Sequence, residues 1–193
     1  MEREELKESL IKVLRLLDKG IAMERNARDF YAQSARITKS PDGKKLFEWL
    51  ASFEIGHKKR LEAKAKEIMK HKALKGAEVP PLGHFDVSEA SWKDTFPENP
   101  TDSDILKMAI GNEKRGYSFY QKKITFTEDA LLLQMLETLA SEEERHIKIL
   151  TEQLKSLKEN RIWLTMDEIE QFAEDVDDFG RAKKRGGGNR KHG

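Results

Sequence analysis

Glu54 and His57, and again Glu143 and His146, stand three residues apart in two stretches, LASFEIGH at 50–57 and LASEEERH at 139–146. On an α-helix, side chains three apart lie about one turn above each other on one face, so each pair can offer a carboxylate and an imidazole to a single metal ion. A lone glutamate precedes each pair in a helical stretch, Glu24 in IAMERNARDFY and Glu113 in IGNEKRGYSFY. The spacings agree without a gap: 54 − 24 and 143 − 113 are both 30, while 113 − 24 and 146 − 57 are both 89. The same offset matches Ile21 with Ile110, Phe30 with Phe119, Tyr31 with Tyr120, Leu50 with Leu139 and Leu61 with Leu150. The pattern reads as an internal duplication, and what it duplicates is a set of metal ligands.

All six residues, Glu24, Glu54, His57, Glu113, Glu143 and His146, fall on faces that the hydrophobic pattern assigns to a core. Ionised carboxylates buried without partners would each cost several kcal/mol or more. Four of them clustered could not all stay ionised unaided. Two divalent cations resolve the conflict, with four negative charges meeting four positive ones and two neutral imidazoles completing the shells. Mixed oxygen and nitrogen ligation favours iron or manganese, with zinc as a possible substitute. A single Glu-x-x-His on a charged helix means little; two copies, each with a core-facing glutamate 30 residues upstream, are hard to explain as solvated faces. His71, His84 and His192 lack such partners and read as surface or loop residues.

The elements that must position these ligands are legible as helices. From Glu2 to about Ile37, apolar residues recur at helical spacing through Leu6, Leu10, Val13, Leu17, Ile21, Ala27 and Tyr31. Ser40-Pro41-Asp42-Gly43 then reads as a turn with an N-cap serine and proline at the first helical position. A second helix runs to about Leu74, carrying Leu46, Leu50, Glu54, His57, Leu61, Ala65 and Ile68 inward. Positions 76–100 hold all the prolines but Pro41 and form a crossover long enough to span a bundle, pinned by Phe85, Trp92 and Phe96. Thr101-x-x-Asp104 starts a third helix as a capping box, and Thr127 caps a fourth. A shorter acidic segment begins at Thr165-x-x-Glu168 and ends at Gly180. The expected organisation is an all-α four-helix bundle over 1–160, a short C-terminal helix over 161–180 and a basic disordered tail over 181–193.

Composition narrows the function classes. Lys plus Arg number 36 against 35 for Asp plus Glu, a net charge of +1 that offers no global pull toward nucleic acid or an anionic membrane. The 193 residues contain no cysteine, which excludes disulfides, thiolate metal sites and cysteine-bound iron–sulfur centres. No apolar run approaches the roughly 18 residues that span a bilayer. The charged N-terminus lacks a signal core, so the expected location is cytoplasmic.

With these motifs, residues 10–158 resemble the rubrerythrin-like members of the ferritin-like di-iron carboxylate superfamily. The resemblance implies a ferritin-like bundle in which Glu24, Glu54, His57, Glu113, Glu143 and His146 bind two iron ions, with Glu54 and Glu143 bridging. It makes Tyr31 and Tyr120, seven residues after Glu24 and Glu113, hydrogen-bond donors to ligand carboxylates; ordinary core tyrosines are the alternative. Rubrerythrins proper also carry a cysteine-bound rubredoxin centre, which this chain cannot form, so its electron donor must be a separate protein. The implied function is reduction of peroxide or dioxygen by Fe(II). Iron oxidation for sequestration, in a cage or a host shell, is the alternative from the storage class, and a metal-stabilised structural bundle is the third. A homodimer is expected, with the crossover permitting exchange of hairpins between chains.

Overall fold

The computed structural model describes residues 2–73, 80–83, 85–87, 96–125, 127 and 129–186. Among these it contains five helices and no strand: α1 (Glu2–Ile37), α2 (Pro41–Ala73), α3 (Asp102–Ile124), α4 (Ala130–Asn160) and α5 (Met166–Gly186). The first four form the expected all-α bundle. α1 packs chiefly on α2, and α3 on α4, so the chain folds as two helical hairpins laid face to face.

The helix starts follow local hydrogen-bond chemistry. Ser40 Oγ accepts the Gly43 N–H at 3.3 Å, and Pro41 opens α2, where its missing N–H is no loss. Thr101 and Asp104 satisfy each other's backbone N–H groups ahead of α3, at 3.2 Å each. Thr165 and Glu168 repeat the arrangement ahead of α5. The start of α4 differs from expectation. Its N-cap is Asp129, which accepts the Leu132 N–H at 2.8 Å, while Thr127, two residues upstream, accepts the Asp129 N–H. A carboxylate at that position also meets the positive end of the helix dipole, which a hydroxyl does less well.

The C-terminal helix is longer than the sequence reading had it. α5 passes through Gly180 to Gly186, so residues 181–186 continue the helix. One glycine inside a helix costs about 1 kcal/mol relative to alanine, too little to stop it. The remainder of the basic tail, 187–193, lies outside the described residues, as do Trp92, His84, His192 and the side chain of His71.

Two apolar clusters fill the bundle, one toward each end. The first gathers Phe30, Tyr31, Leu46, Phe47, Leu50, Ile105, Ala109, Ile110, Ile149 and Leu150. The second gathers Leu10, Leu14, Leu17, Leu61, Ala65, Tyr120, Leu132, Leu136 and Leu139. On each of the first four helices the chain passes from one cluster to the other through the polar residues of interest. Glu24 lies between Leu17 and Phe30, Glu54 and His57 between Leu50 and Leu61, Glu113 between Ile110 and Tyr120, and Glu143 and His146 between Leu139 and Ile149. Each buried leucine or phenylalanine contributes about 1.5–3 kcal/mol. That burial holds four helices around a charged layer that would otherwise push them apart.

The outer pieces fasten this frame. Phe96 of the crossover stacks on Phe30 with ring centroids 5.1 Å apart, and Phe85 packs on the second cluster. Asp18 accepts the Gly83 N–H at 2.7 Å, and Gly83 adopts φ +85°, a conformation that glycine takes without strain. At the other end Trp163 donates to Asp102 at 3.0 Å and meets Phe47 edge-on, while Ile169 and Ala173 bring α5 onto the first cluster.

Candidate metal centre

The six residues singled out by spacing meet in the charged layer, all within one chain. Their side chains form two overlapping groups, Glu24–Glu54–His57–Glu143 and Glu54–Glu113–Glu143–His146, each offering ligand atoms that lie within 4.8 Å of one another. Glu54 and Glu143 belong to both groups. Every member is buried, none more than 3 % exposed.

The histidines face inward through Nδ1. That atom of His57 lies 3.4 Å from Glu24, 3.4 Å from Glu54 and 3.2 Å from Glu143. His146 Nδ1 lies 3.3 Å from Glu113 and 3.9 Å from Glu143. These are close approaches without hydrogen-bond alignment. Both oxygens of Glu54, Oε2 of Glu113 and both ring nitrogens of each histidine are buried with no hydrogen-bond partner. Buried polar atoms are almost always paired, so so many orphans aimed at common points fit a site built for cations. Two oxygen-rich groups with one imidazole each suit iron-type ions and share two carboxylates between them.

Tyr31 and Tyr120 point back into this layer. Tyr31 donates its hydroxyl to Glu113 Oε1, and Tyr120 donates to Glu24 Oε1. Each bond runs between α1 and α3 and fixes the outer oxygen of a carboxylate at one end of the cluster. Burial, and then the neighbouring carboxylates, push both phenols well above their usual range, so they remain donors.

Without metal, the cluster must hold its charge with protons. Burial pushes Glu54 and Glu143 well up, and the nearby carboxylates of Glu24 and Glu113 add to it. Burial acts on Glu24 and Glu113 too, but their close polar neighbours outweigh it. The approach of Glu54 and His57 and the Tyr120 hydrogen bond hold Glu24 below its ordinary value, and the approach of Glu143 and His146 and the Tyr31 hydrogen bond bring Glu113 to about 2. The shared pair therefore carries the protons and the terminal pair the charge. Burial alone would lower His57, yet Glu142, Glu143, Glu24 and Glu54 together raise it.

Sequence reasoning missed four residues around the cluster. Glu142 Oε2 lies 3.2 Å from His57 Nε2, and Arg60 grips the same carboxylate with its two terminal guanidinium nitrogens. Burial opposes ionisation of Glu142, but His57 and Arg60 hold it at about 2. Its place immediately before Glu143, with Arg60 one turn beyond His57, was the available signal. Asn112 and Gly116 flank Glu113 on α3 and line, with Met23, a cavity of about 10 Å³ against the carboxylates. That is room for about one water-sized molecule. The Asn112 amide is buried, its oxygen accepting from Arg115 and its nitrogen without a partner.

A bundle of helical hairpins around a buried carboxylate–histidine layer defines the ferritin-like class. Sequence places the chain more closely: the Rubrerythrin family model matches residues 15–82 and 104–185, and the protein belongs to that family. Solved structures agree on the fold. A dodecameric thioferritin of Bacteroides fragilis, related to bacterioferritin, is 20 % identical, with 80 % of this chain and 95 % of that one covered at a TM-score of 0.61. A bacterioferritin of Rhodobacter capsulatus, described with a metal-free dinuclear site, is 18 % identical over 76 % of this chain and 86 % of its own, at 0.62. A ferritin-like diiron-carboxylate protein of Bacillus anthracis is also 18 % identical, covering 76 % and 97 % at 0.59. No curated protein is similar enough in sequence to add to these. Family, fold and cluster together suggest iron binding. None of the described helices is long and apolar enough to cross a membrane.

Proposed function

We propose that this protein is a di-iron carboxylate redox protein that reduces peroxide or dioxygen. The observation that carries the reading is the paired grouping of six buried residues, with Glu54 and Glu143 common to both groups. In this reading Glu24 and His57 would hold one iron and Glu113 and His146 the other, with Glu54 and Glu143 available to both. Bound iron would supply the electrons for reduction.

The chain's own residues do the rest. Tyr31 and Tyr120 hold the outer oxygens of Glu113 and Glu24 in place, so the terminal carboxylates keep their orientation as charge at the centre changes. The apolar clusters on either side keep bulk water away from the layer. The small cavity beside Glu143 and Gly116 admits a molecule of a few atoms and no larger substrate. In this reading the electrons come from a separate donor protein, as these 193 residues hold no cysteine to ligate a rubredoxin-type iron.

Iron oxidation for storage is the second reading, favoured by the bacterioferritin fold of the structural neighbours. It calls for a large assembly, whereas the enzyme reading calls for a homodimer. The six residues meet within one chain, so neither assembly is needed to complete the cluster. The deciding experiment mixes protein loaded with Fe(II) under anaerobic conditions with hydrogen peroxide or with dioxygen, and follows iron oxidation by stopped flow beside the particle mass in solution. Fast oxidation by either oxidant in a small oligomer, with turnover on addition of a reductant, supports the enzyme. Oxidation without turnover and retention of many irons per chain in a large particle supports storage. No reaction with either oxidant sinks both and leaves a metal-stabilised structural bundle.

A further inference from the structure

The two histidines do not stand in equivalent surroundings. At the offset of 89 that relates His57 to His146, the counterpart of Glu142 is Phe53 and that of Arg60 is Ile149. His57 therefore has a carboxylate 3.2 Å behind its outer nitrogen, itself pinned by Arg60. His146 has aromatic carbon there instead: the Phe53 ring meets it edge-on at 5.0 Å and the Trp49 ring at 5.9 Å. Nε2 of both rings is buried without an aligned hydrogen bond, but among the described residues only that of His57 has a carboxylate oxygen close behind it. The inward nitrogens differ in the same sense. His57 Nδ1 approaches three cluster carboxylates within 3.4 Å, while His146 Nδ1 approaches one at 3.3 Å and a second only at 3.9 Å.

Resting on the di-metal reading above, we propose that the two halves of the centre load in order, the His57 half first and more tightly, because Glu142 and Arg60 back His57 while only Phe53 and Trp49 back His146. A carboxylate behind a ligating imidazole fixes the proton on the outer nitrogen. It also aims the inner lone pair at the metal and makes the ring a better donor; loss of such a partner typically costs 10–100-fold in affinity. Arg60 keeps the Glu142 carboxylate aligned and balances its charge, so the support comes from orientation and polarisation more than from added negative charge. His146 must give up its outer N–H to an apolar wall, and its ring is free of any such restraint. Glu142 and Arg60 are thus positioning residues, and they make the two subsites of a duplicated ligand set unequal.

The test is an anaerobic titration of the metal-free full-length chain with Co(II), read by visible absorbance and by calorimetry. The expected result is two resolved steps of one ion per chain. His57→Ala should remove the tight step and leave the weak one, and His146→Ala should do the reverse. Glu142→Gln should weaken the tight step by about 10–100-fold and bring the two together. Two equal steps in the wild-type chain, or retention of the tight step in His57→Ala, would overturn the proposal while leaving the di-metal centre standing. A wild-type chain that takes up no Co(II) would overturn the di-metal reading as well. The two histidine variants carry the test even if Glu142→Gln folds poorly.

Discussion

Tyr120 on α3 donates its hydroxyl to the carboxylate of Glu24 on α1, 96 positions earlier in the chain. Tyr31 on α1 returns the bond to Glu113 on α3, so the two hairpins are tied by a crossed pair of buried bonds to ionised carboxylates. A hydrogen bond to a charged group contributes about 1.5–3 kcal/mol, and leaving its buried partner unmet costs at least as much. Tyr120→Phe and Tyr31→Phe should each lower the stability of the metal-free protein by about 1.5–3 kcal/mol, read from the urea midpoint at neutral pH. Two unchanged midpoints would show that these are ordinary core tyrosines.

The protonation of the cluster sets a pH dependence for the metal-free chain. Glu54, Glu143 and His57 all keep protons to higher pH when folded than when unfolded. Above about pH 4.5 the folded state thus binds more protons, and stability falls as pH rises. Glu24, Glu113 and Glu142 are shifted down, so the stability they add is lost as pH falls from about 4.5 toward 2. The melting temperature without metal should peak in mildly acidic buffer, near about pH 5, and decline toward about pH 8. Saturating divalent metal should reverse the decline, because ligands must be deprotonated to bind. A metal-free melting temperature that climbs steadily to pH 8 would contradict this charge distribution.

Gly43 in the first turn of α2 should resist substitution. A Cβ there would stand 2.6 Å from Thr38 Cγ2 and 2.9 Å from two ring carbons of Trp163. The missing side chain is what lets the Trp163 indole reach Asp102 and seat the α4–α5 link. Gly43→Ala should lose about 1–3 kcal/mol despite its better helix propensity, with a red shift of tryptophan emission as the indole moves outward. A stabilised variant with unchanged emission would show that the end of the bundle repacks freely.

Gly116 stands against the cluster itself. An added Cβ would lie 3.3 Å from Glu143 Cδ, so the carboxylate shared by both groups would have to shift. Gly116→Ala should leave the metal-free fold within about 1 kcal/mol of wild type, propensity offsetting the contact. Metal affinity should fall, since the displaced group serves both halves. Unaltered affinity in a Co(II) titration would argue that Glu143 is not a shared ligand.

Much of the architecture was legible because few physical signals control it. Helical spacing, the Ser40-Pro41 start and the reciprocal caps at Thr101 and Thr165 all act within a turn or two of chain, and each appears in the structure as read. The six clustered residues were found because charge on a core-facing stripe is rare enough to stand out. What escaped notice depends on contacts distant in sequence. Glu142 lies next to Glu143 but serves His57 on another helix. The Asp129 cap was missed because Thr127 offers a competing hydroxyl two residues earlier, and the helix passing through Gly180 shows how weak a lone glycine is as a stop signal.

Whether these six side chains hold two metal ions is read from the metal content of the protein. The full chain, produced with iron supplied and purified without oxygen, should contain about two irons by elemental mass spectrometry. Glu54→Ala/Glu143→Ala should fall close to zero while keeping its helical circular dichroism. Substantially less than one metal in a folded wild-type chain, or undiminished iron in the double variant, would contradict the account.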